Sequence, residues 1–341
     1  MQTGFRTPDD DHRPRMIIWQ LSSDEVPSQA VAGTIRAYDP FTTHECLVTI
    51  DSIARLSRPI VILAGMNTIH RPDLFQIVEY GFALGLKIIL EVHPRDLTDE
   101  LLAKYAQFGP KIFRIMLDDI VVEDMETRFK VTPEFKLLEE CVRRVRKAGY
   151  ELHFGATVRT PDVRALAYEH DYAFRRSAKG LYCHMCFEEP SETRETVLDE
   201  LDDAIDELVQ DLAHMKRLGP KEMYLSPQCI KYGLHNSHDG DVDGEVHGAN
   251  GNGAHREWRH WCLAARSFAF INPVGVVQAC ASLKVDCGDL RSNGYNFQRI
   301  WEDSYLFQQL RESTQSCTEV RTFMQYIQEH QSLTDEAAAA T

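Results

Sequence analysis

The chain has 341 residues, 43% of them hydrophobic and 26% charged, an ordinary composition with enough apolar material for one large core and a smaller one. A formal net charge of −15 excludes the broad basic surface that non-specific nucleic-acid binding needs, so no nucleic-acid partner is expected. The longest apolar runs, such as Ile112 to Leu117, fall far short of the roughly 18 residues of a membrane span, so none is expected.

The polar, proline-containing residues 1–14 read as a flexible lead-in with no apolar signal core and three consecutive aspartates, Asp9 to Asp11. Together with nine cysteines, an odd number, they lead to the expectation of a cytoplasmic protein whose thiols are reduced or metal-bound. Met16 to Leu21 reads as a buried strand running into a loop from Ser22 to Gln29. Such a loop at a strand's carboxyl end is where α/β enzymes hold cofactors. Thr42 and Glu45 have capping-box spacing, which predicts a helix to about Leu56. Pro59 to Leu63 predicts a buried strand, and Pro72 the first turn of a helix ending at Gly85.

The alternation continues with strands over 87–90, 111–117 and 150–158, and helices over 97–108 and 133–147. It weakens between Pro161 and Pro190, then resumes with a helix over 193–217 and a strand over 222–225. About six βα units of this kind predict a parallel sheet with crossover helices, either a barrel or a doubly wound sheet. Residues from Cys229 to His260, rich in Gly, Asn, Asp and His, read as a loop; their histidines lack helical ligand spacing and are not expected to bind metal. Beyond them, 268–271 and 274–278 predict a strand pair around Asn272, Pro273 and Gly275, and 300–311 a helix.

Several of these segments carry a resemblance. The first strand and loop resemble those that bear the CxxxCxxC motif of radical S-adenosylmethionine (SAM) enzymes; aligned on Trp19 and Leu21, the three cysteine positions hold Glu25, Gln29 and Ala32. The stretch LAGMNTIHRPDL resembles the family's second strand and helix, with Gly65, Arg71, Pro72, Asp73 and Leu74 retained and Asn67 replacing the acid that helps hold the SAM amino group. Three thiolates hold the [4Fe–4S] cluster of these enzymes, and a carboxylate, an amide and a methyl group do not replace them. No CxxxCxxC occurs elsewhere in the chain, so no SAM-binding cluster is expected.

The carboxyl-terminal region resembles the twitch or SPASM domains of peptide-maturase and haem-pathway radical SAM proteins. Cys262, twelve residues, Gly275, four residues and Cys280 fit their pattern, and Cys287-Gly-Asp-Leu-Arg291 resembles the segment that follows. With Cys317 these thiols would suffice for one [4Fe–4S] cluster or one zinc; buried inert cysteines are the alternative. Cys183 and Cys186 form a lone CxxC, a weak signal, and Cys46 and Cys141 read as helix core.

The resemblance implies a partial (β/α)6 TIM-like barrel over 15–226, a Gly/His-rich loop over 227–256, a small α+β twitch-like domain over 257–325 and a disordered tail over 326–341. A pocket is expected from Trp19, Glu25, Gln29, Asn67, Glu91, His93, Arg114 and His153, all placed by strand-end position. The implied function is that of a pseudoenzyme, a partner or ligand-binding subunit working with another protein, such as an active radical SAM enzyme, or with a peptide, or holding a tetrapyrrole-type ligand. The alternatives are a redox protein using one auxiliary cluster, or an enzyme of SAM-independent chemistry in the old pocket.

Overall fold

The computed structural model describes residues 12–22, 30–31, 34–35, 40–65, 67–107, 112–117, 120–121, 131–158, 163–185, 222–226, 230–233, 264–280 and 285–313. Its centre is an open sheet of eleven strands. Seven run parallel in sequence order: β1 (Met16–Gln20), β4 (Ile60–Ala64), β5 (Lys87–Val92), β6 (Ile112–Met116), β7 (Glu151–Val158), β8 (Gly180–Met185) and β9 (Glu222–Ser226). β2 (Ala30–Val31) and β3 (Thr34–Ile35) form a separate antiparallel pair after the first strand. The order and crossovers are those of a partial TIM-like barrel.

β10 (Ile230–Gly233) lies antiparallel to β9 at one edge. At the other, β11 (Phe268–Ile271) runs parallel to β1, and β12 (Val276–Gln278) and β13 (Gly288–Asp289) follow it antiparallel. The carboxyl-terminal hairpin therefore continues the sheet beyond its first strand.

Two sets of side chains alternate along the strands. Ile17, Trp19, Val61, Leu63, Ile88, Leu90, Phe113 and Ile115 join the helix-side core, while Met16, Ile18, Ile62, Ala64, Ile89, Ile112, Tyr182 and Phe268 make a smaller inner cluster. The helices present matching stripes. α1 (Thr43–Leu56) buries Cys46, Thr49, Ile50 and Ile53, and α4 (Pro133–Lys147) buries Leu138, Cys141, Val142 and Val145, each at i, i+3, i+4, i+7 spacing. Cys46 and Cys141 are thus core residues, and burial pushes both thiols up to about 12. The capping box at Thr42 and Glu45 closes in both directions.

Several boundaries differ from the sequence reading. α2 covers Leu74–Ala83, two residues after Pro72, because Arg71 is held extended before the proline and Asp73 stands at the cap. The Asp73 carboxylate accepts from Arg71 Nε and Nη2 and from Thr43 Oγ1, and Arg71 Nη2 also donates to the Phe41 carbonyl. The retained Arg-Pro-Asp-Leu run is thus a clamp between the start of α2 and the start of α1. α3 is shorter than expected, Asp99–Tyr105, with Thr98 as its cap.

The stretch after Pro161, where periodicity fades, holds α5 (Val163–Arg175) and β8. The Cys229–His260 loop begins with β10. The predicted carboxyl-terminal helix is two, α6 (Phe297–Asp303) and α7 (Tyr305–Ser313), because Ser304 turns extended and its hydroxyl caps the second. The helix expected over 193–217, the rest of the Gly/His-rich stretch and the tail lie outside the described residues. Among the described residues no helix is long and apolar enough to cross a membrane.

Candidate functional site

The concave face of the sheet carries one polar row. Glu91 on β5 is level with Arg114 on β6, Arg114 with His153 on β7, and His153 with Gly180 on β8. Each side chain points inward by strand alternation, opposite to its buried apolar neighbours. The row is polar because Arg114 and Glu91 form an ion pair, with the Arg114 side chain only 1% exposed. A buried guanidinium is tolerated only with such a partner. Its carbon also lies 5.5 Å from the centre of the Tyr182 ring.

His153 is 0% exposed and lies between two oxygens: its Nε2 is 2.8 Å from Glu151 Oε1 and its Nδ1 3.2 Å from Tyr182 Oη. An ionised carboxylate only accepts, so Nε2 carries the proton, and in the neutral ring Nδ1 accepts from the Tyr182 hydroxyl. The two rings also stack, with centroids 5.8 Å apart at 25°.

Two glycines make room for this row. A Cβ on Gly155 would lie 2.5 Å from Met116 Sδ and 3.1 Å from Arg114 Nε. One on Gly180 would lie 2.6 Å from His153 Nδ1. Gly155, Gly180, Tyr182 and Glu151 were not singled out from sequence. A glycine inside a strand pattern was the available signal for the first.

The other expected positions fall as follows. Trp19 is corrected: it is fully buried on the helix side, edge-on to Phe41 with centroids 5.5 Å apart, and among the described residues its indole nitrogen has no hydrogen-bond partner. Its parity on β1 matches Ile17, so it does not line the concave face. His93 follows β5 and is partly buried; its carbonyl accepts from the Asp96 amide. Asn67 is exposed, with no side-chain cap on the short helical turn Thr68–His70. Gly65 sits at φ +110°, which favours glycine, and a Cβ there would meet the Ser22 carbonyl; Ser22 Oγ and Thr68 Oγ1 are 2.9 Å apart beside it. Glu25, Gln29 and Ala32 lie outside the described residues.

Of the four proposed metal ligands, Cys262 and Cys317 lie outside the described residues, as does Cys186, while Cys183 is on β8. Cys280 and Cys287 are buried and form no disulfide. Burial pushes the Cys287 thiol up to about 12, and it lies 3.8 Å from the Val285 carbonyl. Among the described residues no three His, Cys, Asp or Glu side chains converge on a metal position. The two described thiols alone therefore do not fit a cluster or a zinc ion, which require four ligands.

The carboxyl-terminal segment is fixed to α1 by polar and ring contacts. Arg291 lies 3.4 Å from Glu45 and over the Phe41 ring at 4.7 Å, and Tyr295 donates its hydroxyl to Glu45. Gly275 is at φ +91°, and a Cβ there would lie 2.8 Å from Phe41. The Phe297 amide donates to Ser52 Oγ at 2.9 Å.

The fold, a partial TIM-like barrel of parallel strands continued by a carboxyl-terminal hairpin, is that of the radical SAM class. No family profile matches the chain. It is 24% identical over 314 residues to an AdoMet-dependent heme synthase of Methanosarcina barkeri, covering 88% of this chain and 85% of that protein. It is 25% identical over 274 residues to the mycofactocin maturase MftC of Mycobacterium tuberculosis, covering 80% of this chain and 65% of that one. Streptococcus suis SuiB, solved bound to its precursor peptide SuiA, superposes with a TM-score of 0.52 at 11% identity, over 89% of this chain and 68% of SuiB. The chain is thus similar in sequence to these radical SAM proteins and shares the fold of SuiB.

Proposed function

We propose that this chain is a non-catalytic radical SAM homologue that binds a ligand or peptide on the concave face and serves as a partner subunit in a peptide-maturation or tetrapyrrole-type pathway. The single observation that carries the reading is the set Glu25, Gln29 and Ala32 where the family places three cluster thiolates. Without soft ligands there is no site-differentiated iron to bind and reduce SAM. Asn67 adds to this, since an amide offers no charge to an ammonium group. What remains is a barrel wall with a fixed polar row, and such walls serve as ligand sites. Its Glu91–Arg114 pair is already neutralised, so it orients a ligand rather than supplying net charge. SuiB's complex with a precursor peptide supports a peptide as the kind of ligand. In this reading 15–226 is the barrel unit and 257–325 the twitch-like unit.

The arrangement of Glu151, His153 and Tyr182 favours a second reading, SAM-independent acid–base chemistry, because a histidine held by a carboxylate on one nitrogen and a phenol on the other is set up to pass a proton. A four-thiolate site at Cys262, Cys280, Cys287 and Cys317, and with it a redox role, requires the first and last of these to reach the buried pair. Equilibrium dialysis with labelled SAM tests the main reading. No retention of SAM is expected under anaerobic, reducing conditions; saturable retention at one SAM per chain overturns it.

A further inference from the structure

The hairpin that extends the sheet beyond β1 carries two buried amides that lack an acceptor among the described residues. Asn272 and Gln278 are each 2% exposed, and among the described residues neither Asn272 Nδ2 nor Gln278 Nε2 has a hydrogen-bond partner. The orientation of the first is fixed by its other end: Asn272 Oδ1 accepts from the Val274 amide at 3.1 Å and the Val276 amide at 2.9 Å. That oxygen is fully used, and the NH2 group is left pointing away from the turn that holds it.

Strand register places the pair. Gln278 pairs with Phe270, whose other neighbour across the sheet is Ile18, and Phe270 packs against the inner cluster. Gln278 therefore shares the concave face. Asn272 opens the turn that follows β11, its side chain folded back onto the hairpin backbone, and the strand register makes it a diagonal neighbour of Gln278 at about 7 Å between Cα atoms. It stands one residue beyond Ile271, the partner of Trp19, so it is level with Gln20 at the carboxyl end of β1. From that end of the hairpin Gln20, Ala64, Glu91, Arg114 and His153 run across the concave face.

Leaving a buried donor unpaired is costly, and buried polar groups are paired in the great majority of cases. Two such donors in one hairpin, Gln278 on β12 and Asn272 at the turn after β11, the second clamped in orientation, are an arrangement waiting for oxygen. We infer that Asn272 and Gln278 form an acceptor-reading subsite, which donates two hydrogen bonds to a carboxylate or an amide carbonyl of the molecule bound on the concave face. No covalent step is involved. The inference rests on the ligand-binding reading above and deepens it by naming what one end of the ligand presents.

The test is a titration of the full-length, 15N-labelled chain with the two smallest probes of this chemistry, acetate for a carboxylate and N-methylacetamide for a peptide carbonyl. The side-chain NH2 resonances of Asn272 and Gln278 are expected to move downfield and saturate with at least one probe, and the probe that saturates them at lower concentration identifies the source. Asn272→Asp keeps the oxygen that holds the turn and removes the donor; Gln278→Met removes the other at similar length. Each is expected to weaken probe binding at least tenfold, read at the backbone amide of Val277. Non-saturating drift with both probes overturns the subsite, and so does saturation that survives both substitutions. Should either variant fail to fold, the titration of the unsubstituted chain decides alone. Retention of SAM would overturn the parent reading without affecting the amide titration, whereas silent amides would sink only the subsite.

Discussion

Gly180 and His153 face each other across β8 and β7 so closely that a Cβ on the glycine would lie 2.6 Å from the imidazole Nδ1. The missing side chain lets the His153 ring lie flat against Tyr182. Gly180→Ala is expected to tilt or displace that ring and to destabilise the fold by roughly 1–3 kcal/mol, the usual cost of overpacking. Urea unfolding checks it, and a midpoint unchanged from the parent would show that His153 has room the geometry denies.

Arg114 depends on Glu91 in the same row. Replacing Arg114 by Met alone would leave Glu91 without its counter-charge, and replacing Glu91 by Gln alone would remove the carboxylate from a guanidinium that is 1% exposed. Breaking one side of such a pair typically costs about 3–5 kcal/mol, more than removing both partners. A double-mutant cycle in denaturant is expected to show Glu91→Gln with Arg114→Met less damaging than the sum of the singles. Simple additivity would mean the two do not interact.

Much of this architecture was legible because the barrel's helix-side core follows simple periods. The helix over 133–147 with Cys141 in its core and the Thr42 box read directly from sequence, as did most of the parallel strands. α5 and β8 were missed because β8 opens on Gly180 and turns Tyr182 inward, so neither an apolar run nor a clean alternation marks it. Inward polar residues are what strand patterning penalises, and here they form the site. Trp19 was misplaced because its nearness to the strand's carboxyl end outweighed its parity with Ile17. Glu91, Arg114 and His153 share a row only through the stagger of three strands, which no single segment displays.

Acid should loosen the junction between α1 and the carboxyl-terminal segment. Burial raises the Glu45 carboxyl, but hydrogen bonds from Tyr295 and Thr42 and the charge of Arg291 outweigh it and leave it below its ordinary 4.5. At Asp73 burial is likewise outweighed, by Arg71 and Thr43, to leave it below 3.8. Groups with depressed folded values contribute stability that is present above those ordinary values and is lost as pH falls through the folded ones. The urea midpoint is therefore expected to fall below about pH 4.5, and the slope to flatten in Glu45→Gln and Asp73→Asn. A parent and variants with identical pH dependence would refute it.

Thiol chemistry separates the two fates of Cys287. If it is a buried thiol pushed up to about 12, iodoacetamide at neutral pH leaves it unlabelled in the folded chain, and iron and zinc are absent after anaerobic preparation. One equivalent of zinc or a [4Fe–4S] absorbance, lost together in Cys287→Ala, would instead establish the four-cysteine site. Peptide mapping by mass spectrometry reads the first outcome and elemental analysis the second.

The proposal on which the rest depends is that a chain offering Glu25, Gln29 and Ala32 where the resemblance implies the cluster thiolates does not cleave SAM. The chain, prepared anaerobically with iron and sulfide supplied, is incubated with SAM and excess dithionite, and 5′-deoxyadenosine is quantified by chromatography and mass spectrometry. The expected yield equals that of a protein-free control. Deoxyadenosine formed in proportion to the chain, and abolished when the chain is denatured, would contradict the account.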